Sequence, residues 1–459
     1  MNMDKAMELG QHLQSRHLLN AETRCSQSDL NWLEEKGLVM RTPAIERKAN
    51  GLICCRCGVS KNRYFAHSPC DKCQKDCVYC RSCIMMGKTK ECGFLYEWTG
   101  PQMEEICHTE LTWQGNLSKG QKRASEKLIK AIKSKSDLLI WAVCGAGKTE
   151  VLFHGIEYAL HQGMSVCIAT PRTDVVLELE PRLKKAFQGL NIAVLYGGSP
   201  QRFQIAPLVI ATTHQLMRYK HAFDVLIIDE VDAFPYSIDE RLQFAVLKAM
   251  RKKGVRVYLS ATPSKKMIKD VFRGQLEAIK IPLRFHQQPL PVPSFHWVGN
   301  WKKKLKKNQL PSKVMNWIQN HITKKRRTLF FVPSISTMKK VTKVLRKHHL
   351  KVEGVSAEDP DRKQKVQQFR DDKYDVLVTT TILERGVTIP NVQVGVLGAE
   401  STIFTESALV QISGRVGRHP DFFKGDVFFF HFGLTRNMKQ AKKHIVKMND
   451  TAEKEFSEK

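Results

Sequence analysis

From residue 117 to about residue 435, short apolar runs rich in β-branched residues alternate with stretches in which apolar residues recur every three or four positions. Such runs predict strands buried on both faces, and the 3.6-residue spacing between them predicts the helices that cover those faces. The predicted strands lie at 138–143, 165–170, 208–212, 223–228 and 256–260, then at 328–332, 375–379, 392–397 and 425–430. Regular alternation of this kind predicts an α/β protein built on parallel sheets. A crossing at Pro289, Pro291 and Pro293 divides it into two domains, 112–285 and 286–435. Ahead of them, Leu9, Leu13 and Leu33 at helical spacing predict an accessory helical segment over 1–50, and a cysteine-rich module spans 51–95. Residues 436–459 read as a basic, charged tail.

The run 138–141 leads directly into Ala142-Val143-Cys144-Gly145-Ala146-Gly147-Lys148-Thr149. A polyphosphate needs backbone N–H groups that it can approach closely, and Gly145 and Gly147 remove the side chains that would block them. Lys148 is placed to reach the β- and γ-phosphates, and Thr149 to ligate Mg²⁺. Ala142 stands where the usual pattern has its first glycine. The strand at 223–228 ends in Asp229-Glu230-Val231-Asp232, and carboxylates at the carboxyl end of a buried parallel strand point into the ligand crevice. Asp229 is expected to hold Mg²⁺, and Glu230 to orient or deprotonate the attacking water. By themselves these acids would equally serve as a helix N-cap. The upstream phosphate loop favours hydrolysis. Arg415 and Arg418, three apart, are candidates for the γ-phosphate.

Lys and Arg outnumber Asp and Glu by 74 to 45, a net charge of +29. Solubility does not require one sign, so a polyanionic partner is expected, nucleic acid ahead of an anionic membrane surface. Lys302-Lys303-Lys304-Leu305-Lys306-Lys307 beside Trp301, and Lys324-Lys325-Arg326-Arg327, are candidate phosphate contacts. No apolar stretch is long enough to span a bilayer, and Met1 to Asn20 lack the apolar core of a signal peptide. A cytoplasmic protein, or one on the cytoplasmic face of the membrane, is expected.

Nine of the 13 cysteines fall between Cys54 and Cys92. In the cytoplasm this favours metal ligation over disulfides. Cys54/Cys57 and Cys80/Cys83 form two Cys-x-x-Cys knuckles that would complete a tetrahedral Zn²⁺ site. Cys54/Cys57 pairing instead with Cys70/Cys73 would leave Cys77, Cys80, Cys83 and Cys92 for a second ion. A second site drawing on Cys70, Cys73, Cys77 and either His67 or Cys92 is a further alternative.

Gln121, the phosphate loop, Thr170-Pro171-Arg172, Thr212-Thr213-His214, the acidic run at 229–232 and Ser260-Ala261-Thr262 follow one another in order. Thr380-Thr381 with Arg385-Gly386, and Gln411-x-x-Gly414-Arg415-x-Gly417-Arg418, complete the series. Over 112–435 the chain thereby resembles superfamily 2 helicases and translocases. The resemblance implies two tandem RecA-like domains, with Gln121 reading adenine so that the nucleotide is ATP. It also implies that Thr170, Arg172, Thr212, Thr213, Thr380 and Thr381 hold the sugar-phosphate track of nucleic acid without reading bases, and that Ser260, Thr262 and Gln411 couple the domains. Binding and hydrolysis of ATP would then close and reopen the cleft.

The zinc module ahead of the motor, together with 141–150, 169–176, 229–235 and 379–387, resembles the ComFA family of late competence ATPases of Gram-positive bacteria. What this implies is a motor that draws single-stranded DNA inward at the membrane uptake channel, beside other competence proteins, with ATP as its only small-molecule substrate and ATP, Mg²⁺ and Zn²⁺ bound. The cysteines from Cys70 to Cys77 exceed the family's four ligands. A duplex-separating helicase of replication restart or recombination is the nearest alternative, and a nucleotide-switched DNA-binding scaffold is one from another class.

Overall fold

A computed structural model describes residues 2–102, 110–384 and 389–457. The chain packs as two compact units, Met1–Ile140 with Thr149–Ile279, and Trp141–Lys148 with Lys280–Lys459. Each unit carries an α/β layer built around a sheet.

In the first, seven strands lie in the order Ile192–Leu195, Leu208–Thr212, Val166–Thr170, Phe223–Ile228, Met250–Ser260, Leu138–Ala142, Glu277–Ile281. Val166–Thr170 and Leu208–Thr212 are buried at every position, which is why they read as continuous apolar runs. Their parallel register aligns Thr170 with Thr212 at the carboxyl edge of the sheet. The second sheet has six parallel strands in the order Ser294–Trp297, Val427–His431, Val392–Leu397, Arg327–Phe331, Val376–Thr379, Val352–Val355. Four strands absent from the sequence prediction, Ile192–Leu195, Glu277–Ile281, Ser294–Trp297 and Val352–Val355, are the edges of these two sheets.

Residues 1–50 are not a purely helical segment. Helices Met3–Leu13 and Gln27–Glu35 are present, the second closed by a capping box between Ser26 and Asp29. Strands Leu18–Leu19 and Val39–Pro43 flank Phe94–Trp98, a strand that follows the cysteines, in one antiparallel sheet. The cysteine-rich stretch is thus an excursion within a single small domain, whose core joins Ala6, Leu13, Leu30, Leu33 and Val39 to Tyr96 and Trp98. The charged stretch after residue 435 is helical: helix Arg436–Ser457 buries Met438, Ala441, Ile445, Met448 and Ala452.

Where the N-terminal domain meets the motor core, buried Glu22 accepts from three guanidinium groups, Arg218 at 2.7 Å, Arg56 at 2.8 Å and Arg202 at 2.9 Å. Burial pushes its carboxyl up, but Arg56 and Arg218 outweigh burial and hold it below its ordinary value. A depressed carboxyl contributes stability that is present above the ordinary carboxylate pKa of about 4.3 and is lost as pH falls through the folded value. Glu22→Gln leaves buried Arg56 without its carboxylate and is expected to cost about 3–5 kcal/mol in urea unfolding. A loss below about 1 kcal/mol would mean that the guanidinium groups relax to water.

Candidate nucleotide and metal sites

The phosphate loop leaves strand Leu138–Ala142 and enters helix Lys148–His161. Gly145 and Gly147 have φ of +82° and +69°, the left-handed region. A Cβ on Gly145 would make only ordinary contact, its nearest neighbour being Arg284 Cγ at 3.6 Å, so the backbone rather than crowding demands glycine there. Lys148 is the first residue of the helix and Thr149 the second, so a phosphate held by the loop would meet a helix N-terminus. Cys144, which the sequence places in the phosphate loop, is buried and donates its thiol proton to Gln411 Oε1 at 3.0 Å, both residues lying in the second unit. A side chain on Gly414 would collide with Cys144.

In the first unit, Phe223–Ile228 delivers Asp229 and Glu230 to the carboxyl end of the sheet. Asp229 Oδ1 accepts the Glu230 amide at 2.8 Å, and Glu230 holds φ +56°. A non-glycine residue kept in that region is over-determined by its surroundings, as is common at reactive sites. Asp232 accepts from Ser260 Oγ at 2.6 Å and from Thr262 Oγ1 at 2.8 Å. The Ser-Ala-Thr turn is therefore clamped to the acidic turn within one unit, a link that the sequence does not indicate. Gln121 Oε1 accepts the Ser118 amide at 2.8 Å, closing a capping box on helix Lys119–Ser134.

In the second unit, Arg415 is buried and donates from Nε to Glu384 O at 2.9 Å and again from Nη2. Arg418 is half-buried, with Nε on Gly414 O at 2.9 Å. Arg284 is a functional candidate that the sequence hides, because it stands in no motif. It is fully buried, donates from Nη1 to Gly417 O, and leaves Nε and Nη2 without partners. Burial and the neighbouring Arg418 charge push its guanidinium down to about 10.

The residues expected along the nucleic-acid track separate into two groups. Thr170 and Thr213 are fully buried and Thr212 nearly so, with the Thr213 amide on Thr170 O at 2.9 Å. The hydroxyls of Thr170 and Thr213 are buried, whereas Arg172, Thr380 and Thr381 are half-buried and reach the surface. Arg385 and Gly386 lie outside the described residues. Lys302, Lys303, Lys304, Lys306 and Lys307 are exposed, whereas Trp301 is a core residue whose Nε1 donates to Glu400 at 2.7 Å. Lys324, Lys325 and Arg326 are exposed too, but Arg327 is spent on the carbonyls of Phe369, Arg370 and Pro390.

The fold joins the Cys54/Cys57 knuckle to Cys80/Cys83 and not to Cys70/Cys73. Cys54, Cys57, Cys80 and Cys83 are buried with their sulfurs within 4.8 Å of one another. Cys54 and Cys83 sulfurs are 3.7 Å apart, and Cys57 and Cys80 3.8 Å. Four thiolates at about 2.3 Å from one Zn²⁺ would stand about 3.8 Å apart along each tetrahedral edge. These residues therefore fit a structural zinc ion.

A family model described as the competence protein ComFA N-terminal domain matches residues 2–97, one for the type III restriction enzyme res subunit matches 114–265, and the helicase conserved C-terminal domain matches 309–420. The chain is 54% identical over 455 residues to competence protein ComFA of Bacillus subtilis (strain 168), covering 99% of this chain and 97% of that protein. It is 38% identical over 423 residues to competence protein ComFA of Streptococcus pneumoniae (strain ATCC BAA-255 / R6), covering 91% and 95%. Among solved structures, S. cerevisiae Dbp5 bound to RNA and ADP BeF3 matches with a TM-score of 0.54 at 17% identity, covering 72% of this chain and 87% of that one. RecG bound to a three-way DNA junction matches with a TM-score of 0.52 at 18% identity, covering 74% and 47%. These two likenesses show the fold, a pair of RecA-like domains.

Proposed function

Because this chain belongs to the ComFA family of competence proteins and is a DNA-dependent ATPase of the superfamily 2 helicase type, we propose that it tracks single-stranded DNA and draws it into the cytoplasm during natural transformation. The observation that carries the reading is the coexistence, in one chain, of the competence-type N-terminal domain with a glycine-shaped phosphate loop, the Asp229-Glu230 pair and the Arg415/Arg418 pair. Lys148 would hold the β- and γ-phosphates of ATP, with Mg²⁺ between Thr149, Asp229 and the phosphates. Glu230 would activate water, and Arg415 and Arg418 would answer the charge that develops on the γ-phosphate. Gln121 would read adenine after giving up its cap. Ser260, Thr262 and Gln411 would transmit the nucleotide state, the first two through Asp232 and the third through Cys144.

Among the described residues no helix is long and apolar enough to cross a membrane. On the ComFA reading the motor would act on the cytoplasmic face of the membrane, beside the uptake channel and other competence proteins. The test is steady-state ATP hydrolysis with single-stranded DNA, duplex DNA, RNA or no polymer, beside strand displacement on a forked duplex. Single-stranded DNA is expected to stimulate most, and Lys148→Ala to lower kcat by about 10² or more. Displacement of the duplex would favour an unwinding helicase instead. Hydrolysis indifferent to every polymer would sink the translocase reading.

A further inference from the structure

The cysteines beyond the first cluster converge as well. Cys70, Cys73, Cys77 and Cys92 hold their sulfurs within 4.8 Å of one another, with Cys70 and Cys92 at 3.7 Å. That is again the edge expected of a tetrahedral tetrathiolate, about 3.8 Å. It is far beyond a disulfide bond of about 2.05 Å.

The backbone at this cluster repeats the turn of the first. In Cys54-Cys55-Arg56-Cys57-Gly58, the Gly58 amide donates to Cys54 O at 2.8 Å and Gly58 has φ +77°. In Cys70-Asp71-Lys72-Cys73-Gln74, the Gln74 amide donates to Cys70 O at 2.8 Å and Gln74 has φ +53°. A glutamine in the left-handed region is strained relative to glycine, so something must hold that turn. Lys90 Nζ donates to Cys70 Sγ at 3.3 Å. A cationic donor on that sulfur suits a metal-bound thiolate, whose excess negative charge it offsets.

The placement explains what an ion would do. Strands Phe65–Cys70 and Lys75–Cys80 form a hairpin in which Cys77 stands opposite Ser68, and Cys80 opposite Phe65. Cys77 and Cys80 are three apart on one strand and so face opposite sides, one for each cluster. Cys80 serves the first cluster at the base, while Cys70, Cys73 and Cys77 gather near the tip. Cys92 arrives from the segment that follows strand Thr89–Lys90. Strand Thr89–Lys90 pairs only with the base, at Tyr79 and Cys80, so the tip is two-stranded, an arrangement marginal in water, and the residues buried near it are Cys70, Cys77 and Val78.

We propose that Cys70, Cys73, Cys77 and Cys92 bind a second structural Zn²⁺, which staples the tip of the hairpin to the segment leading into strand Phe94–Trp98. The site is independent of the nucleotide chemistry and of the first zinc cluster. Metal analysis of the full-length protein, purified under reducing conditions and normalised by amino-acid analysis, tests it. The expected ratio is two zinc ions per chain, falling to one in a Cys73→Ser/Cys92→Ser double variant that keeps its ATPase activity. Replacing zinc by Co²⁺ is expected to give thiolate charge-transfer absorption that saturates at two equivalents, and at one in the variant. A wild-type ratio of one, iron in place of zinc, or a Cys70–Cys92 disulfide found by mass spectrometry would each overturn the proposal, and none requires the variant to fold.

Discussion

Arg418→Ala is expected to lower the kcat of DNA-stimulated ATP hydrolysis by about 10³, the lower end of what an arginine at the γ-phosphate supplies, with KM for ATP changed by less than about threefold. The two arginines of the motif are alike in sequence and unlike in the fold. Arg415 is buried with both Nε and Nη2 on the Glu384 carbonyl, whereas the half-buried Arg418 is tied to Gly414 O through Nε. Arg415 thus anchors the turn, and Arg418 has the guanidinium end better placed to meet a developing charge. Arg415→Ala removes two charge-assisted hydrogen bonds, each worth about 1.5–3 kcal/mol, so it should lower stability in urea as well as kcat. Arg418→Ala removes one such bond from a half-buried side chain and should lower the unfolding midpoint less than Arg415→Ala does. Steady-state kinetics and urea titration of the two variants separate these roles, and a kcat for Arg418→Ala within threefold of the wild type would remove Arg418 from the reaction.

What could be read before folding follows a physical division. The central strands were legible because parallel strands covered on both faces must be apolar throughout, as Val166–Thr170 and Leu208–Thr212 are. Two of the edge strands, Glu277–Ile281 and Ser294–Trp297, were not, because they are mostly half-exposed and no continuous apolar run marks them, whereas the edge strand Ile192–Leu195 is apolar and buried throughout. The small N-terminal sheet was hidden for another reason, since Val39–Pro43 pairs with Phe94–Trp98 across the whole cysteine-rich stretch and local periodicity carries no trace of that partner. Phosphate chemistry imposes its spacing locally, so Gly145, Gly147 and Lys148 announce themselves. Arg284 gains its character only from burial beside Gly417 and Arg418, and Asp232 only from the two hydroxyls that it receives. Cysteine spacing left several ligand sets open, and the hairpin chose between them by sending Cys77 and Cys80 to opposite faces.

The first zinc cluster has a consequence for the motor itself. Cys54, Cys57, Cys80 and Cys83 belong to the same buried cluster as Cys167, Val209, Leu226 and Leu242 of the motor core. Phe244 lies across Gly58, so that a Cβ there would sit 2.6 Å from the ring. Lys248, whose ammonium burial and the Arg56 charge push down to about 7, donates to Arg56 O at 2.9 Å and to Met217 O at 2.8 Å, bridging the knuckle and the core. Loosening the knuckle should therefore be felt in the sheet that carries Asp229 and Glu230. A structural zinc contributes about 10–16 kcal/mol of apparent binding free energy, against a typical domain stability of about 5–15 kcal/mol. Losing a third of it, at about 2–4 °C per kcal/mol, should lower the midpoint of thermal unfolding by about 10 °C. Cys57→Ser is expected to show that shift in calorimetry, together with the loss of one zinc per chain and a fall in DNA-stimulated ATPase. Zinc lost with the midpoint unmoved would mean that the motor core stands without its knuckle, and that the ion serves a surface of the N-terminal domain alone.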